Sequence, residues 1–143
     1  MQQHQLQPYL FFNGRCDEAI DFYGRVLGAE VIQLFRYKDN PEPTQMPLPP
    51  GSENKVMHAC IRVGDAALLA SDGMCSGSTD FRGFSLAYTA ATDAAAETVF
   101  AALGDGGQVQ QPLIQTFFSS RFGMLTDRFG VGWMVTVAQA AAA

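Results

Sequence analysis

The spacing of apolar side chains changes period repeatedly along the chain, and each change marks an element. Residues 8–12 (PYLFF) form a short aromatic run closed by Asn13-Gly14, which predicts a strand leading into a helix. Cys16, Ala19, Ile20, Tyr23, Val26 and Leu27 then recur at i, i+3, i+4, i+7, i+10 and i+11, the stripe of an amphipathic helix. Asp17 and Glu18 suit its first turn, and Gly28 its stop. Residues 29–37 return as a strand. Residues 38–54 hold five of the seven prolines, which fix φ and remove donors, so this stretch is expected to run irregularly. In residues 55–63 (KVMHACIRV) alternation puts Met57, Ala59, Ile61 and Val63 on one face and Val56, His58, Cys60 and Arg62 on the other. Gly64-Asp65 turns the chain into a hairpin strand over 66–71.

The pattern then restarts after a Gly/Ser-rich connection. Residues 84–90 read as a strand. Residues 93–103 read as a helix with Thr92 as N-cap, Ala95, Val99, Ala102 and Leu103 as its buried stripe, and Gly104 after it. Strands are expected over 108–118, 121–126 and 131–137, with a turn at 127–130. The two helix-terminal glycines stand 104 − 28 = 76 residues apart, about half of the 143. A βαβββ unit of that size leaves one sheet face uncovered and needs a second unit to finish a core. The chain is therefore expected to be one α+β domain, 1–143, built from two modules, 7–71 and 83–137.

Composition narrows the function classes. With 48% hydrophobic and 16% charged residues the chain can bury a core. A formal net charge of −5 leaves little for phosphate neutralisation, so no nucleic-acid partner is expected. No apolar stretch approaches the roughly 20 residues of a membrane span, and the Gln-rich start has no basic and apolar export signal. Cys16, Cys60 and Cys75 are widely spaced, which encodes neither a disulfide scaffold nor a zinc module and suits a reducing cytoplasm. His4 and His58 are the only histidines, so a His-rich metal site is excluded. The polar start and the Ala-rich end, residues 138–143, are expected to fray.

The segments PYLFFNG, EAIDFYGRVLGAE, HACIRVGDAALLASD and RFGMLTDRFGVGW together resemble the PhnB-like branch of the vicinal oxygen chelate superfamily, which includes glyoxalase I, extradiol dioxygenases and fosfomycin-resistance proteins. The resemblance spans essentially the whole chain. It implies two βαβββ modules in a curved eight-stranded mixed sheet, helices on the outer face, an active site in the concave trough, and a homodimer. It also implies a divalent metal held by His, Gln or Glu near the start of each module's first strand and in its last strand. Those positions fall here on Gln7 or Pro8, on residues 69–71 (LAS), on Gly83 or Phe84, and on Met134. None of Leu69, Ala70 and Ser71 is a carboxylate, Gly83 or Phe84 stands where a His is expected, and the Met134 thioether does not suit a hard divalent ion. With Gln7 alone left, a three-ligand open site is not assembled, and no metal or other cofactor is expected.

Candidate site residues follow from strand parity. His58, on the face opposite Ala59 and Ile61, is the candidate catalytic acid or base, or else a structural histidine bonded to a neighbouring strand. Cys60 shares that face as a possible nucleophile or a small hydrophobe. Arg62 and Arg121 could grip an anion, or pair with acids such as Asp72 or Asp127. If Leu10 and Phe12 face the first helix, Tyr9 and Phe11 face the trough. Phe117, Phe118, Trp133 and Met134 line either the trough or the core. Asp72 and Asp127 suit turns, and the glycine run at 104–107 follows a helix instead of opening one, which gives no dinucleotide loop. The expected function is a PhnB-like protein that lacks the usual metal and binds a small organic molecule in the trough. The alternatives are a metal-dependent lyase or dioxygenase using Gln7 and His58, or a ligand-sequestering resistance protein.

Overall fold

A computed structural model describes residues 5–41 and 48–138; His4, part of the proline-rich stretch and most of the Ala-rich end lie outside the described residues. The chain folds as two compact units that divide between Thr79 and Asp80. The first holds β1 (Tyr9–Phe11), α1 (Cys16–Leu27), β2 (Glu30–Arg36), β3 (Val56–Val63) and β4 (Ala66–Ser71). The second holds β5 (Leu86–Ala90), α2 (Asp93–Gly104), β6 (Gln108–Ile114), β7 (Phe122–Thr126) and β8 (Gly132–Val137). The sheet orders are β1-β4-β3-β2 and β5-β8-β7-β6, each with one parallel pair, β1 with β4 and β5 with β8. The repeated βαβββ order is thus present, and the expected eight strands form two four-stranded mixed sheets.

In the first unit α1 buries Cys16, Ala19, Phe22 and Tyr23. Ile20, Val26 and Leu27 of the expected stripe are only half-buried. The face is recentred on the aromatic pair because Tyr23 meets Phe12 of the chain after β1 and the Phe22 ring, at 6.2 and 5.7 Å between centroids. Gly28 ends the helix in the left-handed conformation, φ 68°, where a side chain would be strained.

No local side chain caps the start of α1. The cap comes from Asp72, which follows β4 and is fully buried. Its Oδ1 accepts the Gly14 and Cys16 N–H groups, both at 2.8 Å, and its Oδ2 accepts the Val56 N–H at 2.9 Å. One carboxylate therefore joins the helix start, the start of β3 and the end of β4, and its charge suits the helix N-terminus. Around it, Arg36 holds both carboxylate oxygens of Asp17 at 2.9 Å and the Asn54 carbonyl at 2.8 Å. The Asp17 hydrogen bond pushes the Arg36 guanidinium further above its ordinary value.

Two bulges shift the pairing of β2 with β3. Between Phe35 and Arg36 the register skips Met57, so the buried residue at the start of β3 is Val56, not Met57 as strict alternation requires. Between Val31 and Gln33 the extra residue is Ile32, on β2.

The second unit caps its helix locally, Thr92 accepting the Ala95 N–H at 3.1 Å, as expected. Its buried stripe is Ala96, Val99, Phe100 and Leu103; Ala95 and Ala102 are only half-buried. Phe100 takes that place because it lies against Gly123, where a Cβ would come within 2.5 Å of the ring. Gly104 is the last helical residue instead of the one beyond it. The strand expected over 108–118 stops at Ile114, because Thr116 Oγ1 accepts the Phe118 and Ser119 N–H groups and folds the chain into a local turn. Asp127 is a turn residue, its Oδ1 accepting the Phe129 and Val131 N–H groups; its Oδ2 also takes the Trp133 indole at 2.9 Å, so Trp133 is core.

The two caps differ in their expected cost of removal. Asp72→Ala strands two buried donors and a part-buried one and should lower the unfolding free energy by about 3 kcal/mol or more. Thr92→Ala, at an exposed cap, should cost about 1 kcal/mol. Urea unfolding of both variants measures the difference, and equal costs would contradict the tertiary role of Asp72.

Candidate functional site

Residues directly opposite in a sheet project from the same face. In the first unit Leu10, Ala70, Ala59 and Leu34 are aligned in one row, Leu68 and Ile61 in another, and these pack beneath α1. The intervening row, Tyr9, Leu69, Cys60 and Gln33, must point to the opposite face. Phe11 joins it two residues beyond Tyr9, and Phe35 lies opposite His58. Leu10 and Phe12 are each 1% exposed, which meets the condition for Tyr9 and Phe11 to lie on the helix-free face.

The centre of that face is a pair of side chains. The Tyr9 hydroxyl and His58 Nδ1 are 3.0 Å apart, and the Tyr9 ring stands 5.6 Å from the imidazole and 4.9 Å from Phe11. When Tyr9 donates, the neutral imidazole carries its proton on Nε2. Nε2 has no protein partner among the described residues. Phe35 lies directly opposite His58 and Phe11 stands against Tyr9, 41% and 51% exposed. The arrangement can present one oriented imidazole N–H or, in the tautomer whose Nδ1–H donates to the Tyr9 hydroxyl, an Nε2 acceptor.

The other expected site residues are divided. Cys60 shares the face, but two residues of strand separate it from His58, about 7 Å, and the imidazole is bonded to Tyr9 instead. Arg62 also shares the face and is ion-paired with Glu30 at 2.6 Å. Arg121 belongs to the second unit and reaches back to α2, to Glu97 at 3.2 Å and Asp93 at 3.6 Å. Neither arginine pairs with Asp72 or Asp127, whose carboxylates are buried and bound to N–H groups. Met134 of the second unit lies opposite Ala87 and Met124, on the face away from buried Trp133 and Val135. Phe117 and Phe118 lie beyond the end of β6, stacked edge to face at 5.2 Å.

Gln33 and Phe35 were not visible as site residues in the sequence. The bulge at Ile32 breaks the alternation of β2, so only the cross-strand register reveals which of its side chains join the face.

The superfamily's metal does not fit these residues. Leu69 lies between Tyr9 and Cys60, Met134 between Ala87 and Met124, and no three His, Cys, Asp or Glu side chains converge among the described residues. A shallow cavity of about 590 Å³ lies elsewhere, between α2 and the start of β6, bordered by Phe100, Ala101 and Val109.

The sequence profile of the 3-demethylubiquinone-9 3-methyltransferase family matches residues 4–136. Protein YjdN of Escherichia coli K12 is 32% identical over 141 residues, covering 92% of this chain and 94% of its own. The crystal structure of protein PA1353 from Pseudomonas aeruginosa superimposes with a TM-score of 0.82 at 41% identity, covering 96% of this chain and 100% of that one. The PhnB protein of Bacillus cereus gives 0.78 at 30% identity, covering 94% and 100%. A glyoxylase/bleomycin resistance protein/dioxygenase domain from Frankia shares the fold, with a TM-score of 0.65 at 12% identity, over 99% and 96%.

The three thiols should react unequally. Burial, then the charges of Asp72 and Asp17, push the Cys16 thiol far above its ordinary range, while Cys60 and Cys75 are half-exposed. In native protein a disulfide reagent at mildly alkaline pH should label Cys60 and Cys75 and reach Cys16 only after denaturation. Peptide mapping checks this, and rapid native labelling of Cys16 would contradict its burial.

Proposed function

The chain belongs to the 3-demethylubiquinone-9 3-methyltransferase family, PhnB-like proteins of the glyoxalase/bleomycin-resistance/dioxygenase superfamily, and from that premise we propose that it binds a small, partly aromatic organic molecule without a divalent metal. The proposed contact surface is the helix-free face of the first sheet. The observation that carries this reading is the Tyr9–His58 hydrogen bond, which orients an imidazole whose Nε2 has no partner among the described residues, on a face that also carries exposed Phe11 and Phe35. Planar apolar surface supplies binding energy, and a single oriented polar group supplies orientation.

The family's description speaks of methyl transfer. The glycine run at 104–107 supplies no cradle for a donor, since it ends α2, and a Cβ on Gly107 would lie 2.1 Å from the Thr126 carbonyl oxygen. Gly107 serves close packing, and Gly106 a left-handed turn at φ 81°.

A thermal-shift screen of small aromatic metabolites should find ligands that raise the melting temperature by mass action, with the shift unchanged by a chelator. His58→Ala and Tyr9→Phe should each weaken such a ligand about tenfold, the cost of roughly one good hydrogen bond. Loss of the shift on chelation, or one divalent ion per chain in untagged protein, would overturn the metal-free reading.

We also propose a homodimer. Strand β2 is a sheet edge and leaves Val31 and Ile32 50% and 54% exposed, an apolar edge of the kind a partner covers. Sedimentation should give two chains per particle for the native protein and one for Ile32→Lys. A native monomer would sink this assignment.

A further inference from the structure

The structure assigns a charge class to the proposed ligand: we infer that it is an uncharged planar ring bearing a hydroxyl or carbonyl oxygen, and not an anion. This rests on the binding reading above and adds the charge. Across the rows of the helix-free face the fixed charges among the described residues are Arg62 and Glu30, and they lie directly opposite each other in the register. They are joined at 2.6 Å. Among the described residues an incoming carboxylate or phosphate meets no unmatched cation there: at Arg62 it shares the guanidinium with Glu30, whose charge stays beside it. A cationic ligand meets the converse obstacle, since Glu30 is already neutralised. What the face offers without such competition is aromatic surface from Tyr9, Phe11 and Phe35 and one imidazole nitrogen with no partner among the described residues. The imidazole can donate to a carbonyl or hydroxyl oxygen, or accept from a hydroxyl, with no counter-charge required.

Three probes of one shape separate the cases: naphthol, naphthoate and naphthylmethylammonium, titrated into the full chain at neutral pH and low salt and followed by calorimetry. Naphthol should bind at least about tenfold more tightly than either ion, and Tyr9→Phe should weaken it. Glu30→Gln frees Arg62 without touching the aromatic cluster. It should strengthen naphthoate about tenfold and leave naphthol unchanged. Equal or tighter binding of naphthoate or of the ammonium probe to the native protein overturns the charge assignment while leaving the binding face intact. Failure of all three to bind overturns the binding face itself, and the charge assignment with it.

Discussion

The first unit depends on one buried carboxylate. Asp72 lies after the last strand of the module, yet its acceptors serve the first turn of α1, 56 residues earlier, and the first residue of β3. Burying a charge without partners is prohibitive, and with three backbone donors it becomes a rigid junction. The reciprocal bond from the Asp72 N–H to the Val56 carbonyl, 2.9 Å, holds the same two segments from the other side. Because β4 must end where this carboxylate reaches the helix, the register of β4 on both β1 and β3 is set, and with it the choice of side chains that face away from α1.

That choice defines the candidate site. Tyr9 comes from β1 and His58 from β3, with β4 between them in the sheet order. Their hydrogen bond therefore spans a neighbouring strand and needs the parallel β1–β4 pairing to be in register. The bulge at Met57 matters for the same reason. It lets Val56 turn inward toward the Asp72 junction while His58, two residues later, turns outward. Strict alternation cannot satisfy the junction and the site together.

The second unit repeats the topology with different chemistry. Its helix is capped by its own Thr92, and its buried carboxylate, Asp127, organises a turn and holds Trp133. The same fold thus carries two unrelated polar frameworks, as expected where architecture is set by layer packing and local groups are free to diverge. Arg121 illustrates the difference: it serves α2, whereas Arg62 stands on the helix-free face of the first sheet.

The repeat, the two helices, the eight strands and the family were legible in the sequence because each rests on local periodicity or on a linear motif, which the chain carries whatever its tertiary arrangement. That Leu10 and Phe12 share one face and Tyr9 and Phe11 the other was legible for the same reason, while which pair turns inward was decided by the fold. Three further things required the fold. The bulges at Ile32 and Met57 arise from fitting one strand against another, so the parity of Phe35 and Val56 is absent from the pattern of either strand alone. The cap of α1 comes from a residue far along the chain, and a Ser-Asp-Gly sequence reads locally as a turn. The partners of Arg62 and Arg121 were decided by which carboxylate the register and the helix surface bring within reach. Local sequence determines what an element is and which way it alternates; only pairing between distant segments decides which side chains meet, because a hydrogen bond or ion pair is a fact about distance in space.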